Sequence, residues 1–211
     1  MSASKTILVL SPHTDDGELG CGATMHRYIE EGHTIISVSF SFCEESLPEG
    51  LEPDTLIKEN ENALLALGLK KENILLYDFP VRNFTENRQA ILDELIQLKI
   101  KYKPDIVFTP ATTDIHQDHG VITTEAKRAF KHCTIYGYEQ PWNTYRFFGN
   151  TFQKISSENL SAKINALTKY QSQQSRAYTQ EEFIRSLAKV RGLQAGDEWA
   201  ECFETIRCIT F

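Results

Sequence analysis

The sequence lacks the cysteine pattern, the long apolar run and the basic tract that mark three common classes of protein. Its five cysteines are scattered and form no C-x-x-C pair, which disfavours a disulfide framework or a cysteine zinc site and is typical of a reducing cytoplasm. No apolar run approaches the ~20 residues that span a bilayer, and residues 1–5 do not resemble an export signal. We therefore expect a cytoplasmic protein without a membrane span.

Positive charge is also scarce. The 22 Lys and Arg residues are outnumbered by 29 Asp and Glu residues, which gives a formal net charge of -7, and no basic run stands out. Nucleic acid and anionic membranes are therefore not expected as partners. The chain has 211 residues and 41% hydrophobic side chains, which suffices for one domain over residues 1–211 with a sizeable core.

Strand and helix patterns alternate along the first two thirds of the chain. Short apolar, β-branched runs predict strands at 6–10, 34–40, 74–77, 105–109 and 134–138. Helical periods predict a first helix that ends at Gly32 and further helices at 54–68, 87–102 and 121–130. This α/β alternation predicts a mostly parallel sheet with helices on both faces. Past residue 140 we expect a strand or hairpin at 147–155, helices at 157–172 and 180–191, and a mixed terminal segment at 199–211.

The first strand is followed by a turn that carries one imidazole and two carboxylates. The stretch Ser11–Gly22 reads S-P-H-T-D-D-G-E-L-G-C-G and places His13, Asp15 and Asp16 between the strand and the first helix. Turns at the carboxyl edge of a parallel sheet are where open α/β folds bind ligands. Taken alone, either aspartate could simply cap the helix.

A second polar loop follows the fourth strand. Residues 114–120 read D-I-H-Q-D-H-G and carry His116, Asp118 and His119. Taken alone, this loop could be an Asx-type turn. Because both loops follow parallel strands, we expect them to meet at one edge of the sheet.

Together the two loops supply the ligands of a catalytic divalent metal. Two imidazoles and one carboxylate, with a coordination position left for water, are typical of such a site. We predict that His13, Asp16 and His119 bind Zn²⁺, although another divalent metal such as Fe²⁺ would accept the same donors.

The remaining polar residues suggest roles in hydrolysis. A bound Zn²⁺ would lower the pKa of its water toward ~7, and Asp15 could take the proton as general base. His116 could stabilise a developing oxyanion as imidazolium, with Asp118 orienting its ring. Arg82, after the third strand, could hold a sugar hydroxyl or a phosphate, although a solvated loop arginine is the plainer interpretation.

Three segments of the chain resemble the signatures of one family. P-H-T-D-D and G-C-G, at residues 12–16 and 20–22, resemble the P-H-P-D-D…G-x-G-G signature of the PIG-L/LmbE-like deacetylases. D-I-H-Q-D-H at 114–119 resembles their D-x-H-x-D-H signature, and R-G…W-A-E-C-F resembles their C-terminal segment. The resemblance implies a Rossmann-like fold and a zinc-dependent hydrolase that removes acetyl from an N-acetylated amino sugar of GlcNAc type.

The resemblance also implies residue roles and partners. It assigns the same roles as above: zinc ligands for His13, Asp16 and His119, general base for Asp15, and stabilisation of the intermediate for His116 held by Asp118. Glu201 lies in a family-like segment and is a candidate substrate contact, although it could equally form a structural ion pair. The implied partner is a small-molecule N-acetylated amino sugar or glycoconjugate. A homo-oligomer would fit the tendency of enzymes to form closed assemblies.

The sequence leaves two other functions open. Gly17, Gly20 and Gly22 could cradle a phosphate in a nucleotide-binding Rossmann enzyme, although their spacing reverses the dinucleotide fingerprint. No acidic residue ends the second strand in the ribose-binding position, where F-S-F stands at 40–42. The other alternative is a metal- or sugar-binding protein of the same fold without turnover.

Overall fold

One mixed sheet runs through the computed structural model, which describes residues 4–210. Its strands are β1 (Thr6–Ser11), β2 (Thr34–Ser39), β3 (Ile74–Leu76), β4 (Ile106–Pro110), β5 (Thr134–Tyr138), β6 (Thr151–Lys154) and β7 (Ala200–Arg207). They lie in the order β3-β2-β1-β4-β5-β7-β6. The pairs among β1 to β5 are parallel, whereas β7 pairs antiparallel with β5 and β6. The predicted mostly parallel α/β sheet is confirmed.

Helices cover both faces of this sheet. They are α1 (Asp16–Glu30), α2 (Thr55–Ala66), α3 (Arg88–Tyr102), α4 (Gln117–Ala129), α5 (Ser157–Leu167) and α6 (Glu181–Ala195). Successive side chains of a strand point to opposite faces, so β1 contributes to two apolar cores. Ile7 and Val9 pack with α1, α2, α5 and α6, and Leu8 and Leu10 pack with α3 and α4.

Helix α4 begins four residues earlier than the sequence predicts, at Gln117 instead of residue 121. His116 occupies the cap position, and its side chain accepts a hydrogen bond from the Asp118 N–H. Ser, Thr, Asp and Asn are the usual caps, so a histidine cap escapes the pattern that marks helix starts. Consequently Asp118 and His119 lie on the first turn of a helix, and both side chains are buried.

The C-terminal third differs from the prediction in where its helices end and in its last strand. Helix α5 ends at Leu167, α6 continues past Gly192 to Ala195, and the predicted mixed segment contains β7. Gly192 lies inside the helix, where it packs so closely on the backbone of Glu198 that a β-carbon would overlap it. The cap is instead Gly196, whose φ of 65° is the left-handed conformation common at helix ends.

The strand order reverses beside β1, which has β2 on one side and β4 on the other. In open α/β sheets, the crevice at the carboxyl ends of such a strand pair is the usual ligand site. The turn from β1 into α1 and the loop from β4 to α4 both open at this crevice. The fold therefore brings the two polar loops to one edge, as predicted.

Several expectations concern the limits of the chain. Within residues 4–210, every helix is too short or too polar to cross a membrane. The expected single domain spans residues 1–211, and the expected lack of an export signal concerns residues 1–5. Both ranges include residues that lie outside the described part of the chain. The five cysteines are free.

Candidate active site

The two polar loops bring three potential ligand atoms to one point. His13 Nδ1 lies 3.1 Å from Asp16 Oδ2 and 3.2 Å from His119 Nε2, and Asp16 Oδ2 lies 3.3 Å from His119 Nε2. Bonds of about 2.0–2.1 Å to a tetrahedral Zn²⁺ would separate its ligand atoms by about 3.3–3.4 Å. The spacing of these three atoms therefore fits three of the four ligands of such an ion.

His116 offers a second possible ligand set. One ring nitrogen from each of His13, His116 and His119 lies within 4.8 Å of the others. This bound is wider than the ~3.4 Å that separates two ligands of a tetrahedral Zn²⁺. The set that includes Asp16 already has the required spacing and is the better candidate.

Carboxylates hold the far side of both imidazoles. Asp114 Oδ2 lies 2.8 Å from His119 Nδ1, and Asp118 Oδ2 lies 3.1 Å from His13 Nε2. A carboxylate on one ring nitrogen leaves the other nitrogen as the lone-pair donor, which is the usual arrangement behind metal-binding histidines. These contacts orient Nδ1 of His13 and Nε2 of His119 toward the same point.

The cluster also creates a field that attracts positive charge. Burial disfavours a charged imidazole, but Asp16 and Asp114 outweigh burial and raise the pKa of His119 to about 10. Burial is likewise overcome at His13, where Asp16 and Asp118 raise the pKa. Burial opposes ionisation of Asp16, but the two imidazoles hold its pKa well below the usual range. The same field would stabilise a divalent cation, whose binding would displace the ring protons.

His116 and Asp118 are neighbours, but they are not paired as predicted. The Asp118 carboxylate contacts His13, while His116 Nδ1 accepts the backbone N–H of Asp118 over 3.2 Å. That contact requires an unprotonated Nδ1, so the ring hydrogen lies on Nε2. Burial, with the adjacent His119 and His13 rings, lowers the pKa of His116. The predicted pairing of His116 with the Asp118 carboxylate is therefore wrong, because that carboxylate contacts His13, and the part of His116 in stabilising an oxyanion stays a prediction.

Asp15 lies beside the cluster with its side chain free of a helix cap. It occupies the cap position of α1, yet its side chain makes no capping hydrogen bond. Burial, followed by the charge of Asp16, raises the pKa of Asp15 to about 6. A carboxylate with a pKa near neutrality, next to candidate metal ligands, is suited to proton transfer.

The cluster opens into a cavity of about 470 Å³, a volume typical of small-molecule sites. Asp15, His116, Arg82 and the ligand candidates line this cavity, together with Arg176 and the aromatic side chains of Trp142 and Tyr178. Arg82 thus lies where its position after β3 suggests. Its contact with a substrate stays a prediction.

Glu201 lies elsewhere and supports helix α1. Its carboxylate accepts the N–H groups of Ala23 and Thr24, at 3.3 and 2.7 Å, and pairs with Lys163 Nζ at 2.7 Å. Those N–H groups begin the second half of α1, which breaks at Cys21. The substrate contact predicted for Glu201 is therefore corrected to a buried structural ion pair, because its oxygens are already engaged.

Sequence reasoning does not single out three other residues that hold the site. Asp114 backs a ligand imidazole, and its place in the second loop could have suggested that role. Gln140 Nε2 donates to Asp16 Oδ1 over 2.7 Å, and it follows β5 at the same sheet edge. The Tyr170 hydroxyl lies 2.6 Å from the Thr14 carbonyl, which is 156 residues away along the chain, so no local pattern predicts it.

Comparisons of sequence connect this site to known proteins. A sequence model of the family described as "PIG-L: GlcNAc-PI de-N-acetylase" matches residues 8–130, which include both polar loops. The "uncharacterized deacetylase YaiS" of Escherichia coli (strain K12) is 28% identical over 179 residues. That match covers 80% of this chain and 91% of YaiS.

Solved structures share the fold over nearly its whole length. The N,N'-diacetylchitobiose deacetylase from Pyrococcus horikoshii is 22% identical with a TM-score of 0.80, covering 96% of this chain and 84% of that one. GalB, the 4-carboxy-2-hydroxymuconate hydratase from Pseudomonas putida KT2440, is 20% identical with a TM-score of 0.81, covering 98% of each chain. Since a deacetylase and a hydratase share it, the fold alone does not determine the reaction.

Proposed function

The chain belongs to the PIG-L/LmbE family of deacetylases, enzymes that act on amide bonds, and on this premise we propose that it is a zinc-dependent hydrolase removing acetyl from an N-acetylated amino sugar of GlcNAc type. The main support is the group of three ligand atoms on His13, Asp16 and His119, spaced 3.1–3.3 Å apart. Asp15 and His116 line the same cavity, so groups for proton transfer accompany the ligand set.

The three ligand residues would hold the divalent metal. Their mixed nitrogen and oxygen donors suit Zn²⁺ and also Fe²⁺. Asp114 and Asp118, behind the two imidazoles, keep the rings in the tautomers that bind a cation. When bound, such a cation polarises an acetamide carbonyl and lowers the pKa of the attacking water.

Asp15 acts in this proposal as the group that moves the proton. It accepts the proton of the attacking water and returns it to the nitrogen of the leaving amine. A pKa of about 6 lies close enough to neutrality for both transfers. Return of the proton matters because a neutral amine is a far better leaving group than an amide anion.

His116 donates its Nε2–H to the oxygen that becomes negative in the tetrahedral intermediate. The Asp118 N–H engages Nδ1, so the ring presents its donor at Nε2. A hydrogen bond of this kind is worth ~10²–10³-fold in rate, because it strengthens as the charge develops. The neutral ring fulfils this role without the imidazolium that the sequence suggested.

The alternative functions lose support in the structure. A β-carbon on Gly20 would overlap the Tyr138 ring, and one on Gly22 would lie 3.2 Å from the Lys163 side chain. The space beside these two glycines is filled by side chains of the protein itself, which pack against α1. It is therefore not open to a phosphate group. Binding without turnover is disfavoured because Asp15 and His116 stand beside the ligand set.

Metal analysis and an amine-release assay together test the proposal. We expect about one divalent metal per chain and release of free amine from N-acetylglucosamine compounds, with a chelator abolishing release and Zn²⁺ restoring it. The matched control is Asp15→Asn, which keeps the ligand set and should retain metal but lose amine release. A native protein that holds metal yet releases no amine from any N-acetylated sugar would favour binding without turnover.

Other expectations from the sequence remain proposals. They are the single domain over 1–211, the cytoplasmic location and the homo-oligomeric state. Light scattering on the purified chain would measure the oligomeric state directly.

A further inference from the structure

Two arginine side chains line the cavity without a carboxylate partner among residues 4–210. Arg82 follows β3, and Arg176 lies in the loop before α6. Five arginines elsewhere in the described chain are paired with carboxylates, as Arg185 is with Glu181 at 2.6 Å. The two cavity arginines thus keep their positive charge available to a ligand.

Arg82 is held through its backbone. Its φ of 66° lies in the left-handed region, which residues other than glycine rarely adopt. Its N–H donates to Asp118 Oδ2 over 2.7 Å, and the same oxygen contacts His13 Nε2. The carboxylate that supports a candidate metal ligand therefore also fixes the point where the Arg82 side chain leaves the loop.

Arg176 is held by an aromatic neighbour. Its guanidinium donates to the Tyr178 hydroxyl, and Cζ lies 5.8 Å from the centre of the Tyr178 ring. That ring stacks on Trp142, with centroids 4.1 Å apart and planes 13° apart. These contacts restrict the side chain but do not neutralise it, and a guanidinium has five N–H donors, so several remain for a ligand.

The carboxylates on the cavity offset only part of this positive charge. Asp15 and Glu45 also line it, and burial raises the pKa of Asp15 while the charge of Arg176 partly opposes that rise, but no ion pair within 4 Å joins either carboxylate to the two guanidinium groups among residues 4–210. Asp16 is already engaged by the two imidazoles. An incoming anion would therefore meet two guanidinium groups that have no ion-pair partner among residues 4–210 near the reacting centre.

We propose that Arg82 and Arg176 bind an anionic group, a phosphate or a carboxylate, that the N-acetylated substrate carries outside its acetamide. The inference rests on the proposed function, since it names the substrate class of the same site. Guanidinium groups match phosphate and carboxylate oxygens in shape and bind them through two parallel N–H donors. The Trp142–Tyr178 pair adds a flat apolar surface beside Arg176 for the adjoining sugar ring.

The test compares three substrates on the zinc-loaded full chain. They are N-acetylglucosamine 1-phosphate, carboxymethyl N-acetylglucosaminide and the neutral methyl N-acetylglucosaminide. We expect kcat/KM for at least one charged substrate to exceed that for the neutral one by ~10-fold or more, chiefly through KM, because charge-assisted hydrogen bonds are strong. The better of the two charged substrates distinguishes phosphate from carboxylate.

Matched substitutions assign the preference to residues. Arg176→Gln and Arg82→Gln should each reduce the charged-to-neutral ratio by ~10-fold. Arg185→Gln, which removes the same charge from the surface of α6, should leave the ratio unchanged. Equal kcat/KM for all three substrates, or a ratio that Arg185→Gln lowers as much as Arg176→Gln does, would overturn the anion site while the deacetylase proposal stands.

Calorimetry separates the two proposals if no compound releases amine. Binding of glucosamine 1-phosphate and of carboxymethyl glucosaminide is then compared with that of methyl glucosaminide. Tighter binding of a charged ligand that Arg176→Gln removes would support the anion site although the proposed function fails. Equal binding of all three ligands would overturn the anion site.

Discussion

Helix α1 has a buried charge cluster at its start and another at its middle, and the two differ in whether their charges are matched. At the break near Cys21, Lys163 Nζ donates to the Leu19 carbonyl over 2.6 Å and pairs with Glu201. The Glu201 oxygens accept the N–H groups that follow the break. One cation meets one anion here, and each also satisfies one end of the interrupted helix.

The cluster at the start of α1 is not matched in this way. Three carboxylates, on Asp16, Asp114 and Asp118, contact the two imidazoles of His13 and His119. With neutral imidazoles the cluster carries a net negative charge, which is costly in a buried place unless protons or a metal compensate it. The comparison teaches that a matched buried pair stabilises the fold, whereas an unmatched cluster marks the place of a cation.

The substitution His119→Ala should break the unmatched cluster most severely. We expect loss of the metal and a fall in kcat of ~10³-fold or more, beyond the ~10²–10³ that one oxyanion donor contributes. Metal analysis and the amine-release assay measure both effects. A variant that still holds metal at native stoichiometry would contradict the ligand assignment.

The substitution Lys163→Met tests the matched pair. Removing one partner leaves Glu201 charged and buried, so we expect the free energy of unfolding to fall by about 3–5 kcal/mol. Denaturant unfolding measures this change, and the folded fraction should keep native metal affinity. If metal affinity falls while stability is unchanged, the two clusters do not have the separate roles assigned to them.

The substitution His116→Ala sharpens the choice between the two ligand sets. We expect kcat to fall ~10²–10³-fold, since an oxyanion donor is lost, while the metal stays bound. The measurement is metal content beside kcat. If His116→Ala loses metal as readily as His119→Ala does, the three-histidine set is the correct one.

The substitution Asp114→Asn weakens the cluster without removing a ligand. The amide no longer supports the His119 ring as a carboxylate does, so we expect metal affinity to fall ~10–100-fold. Competition with a chelator measures the affinity. The control is Asp93→Asn on the exposed face of α3, which should match the native affinity, and an equal affinity in Asp114→Asn would argue against the support role.

The smallest effect at neutral pH concerns Asp15. Burial and the charge of Asp16 raise its pKa to about 6, and a general base must be ionised. Activity should therefore be lost as pH falls through about 6, or through a lower value when the cation is bound nearby. The kcat/KM profile measures this limb, with metal content checked at each pH because ligand imidazoles also bind protons. A flat profile at constant metal content from pH 7 to pH 4 would contradict the role.

Much of the fold follows from local patterns. Apolar β-branched runs locate β1 to β5 to within one or two residues, because strands covered on both faces are rich in apolar side chains along most of their length. Less predictable is the start of α4, where a histidine replaces the usual cap, and the end of α6, where Gly192 is needed for close packing. At α4 an unusual residue makes a local cap contact, and at α6 close packing against another segment determines the glycine.

The candidate site is likewise predictable only in part. The proposed cation ligands His13, Asp16 and His119 can be read from the sequence, because their residue types and their places after parallel strands indicate that role. Their supports are less visible. The Asp118 carboxylate was expected to face His116 and faces His13 instead, and Glu201 was expected to face a substrate and faces Lys163.

The sequence by itself determined the parallel sheet, the edge at which the two polar loops meet and the residue types available there. These depend on hydrophobic period and on turns, which involve neighbouring residues. Only the tertiary structure decided which carboxylate supports which imidazole, and that Arg176 joins Arg82 on the cavity. The physical reason is distance along the chain: the contact between His13 and Asp118 joins residues 105 apart, and such pairing depends on how strands and helices pack.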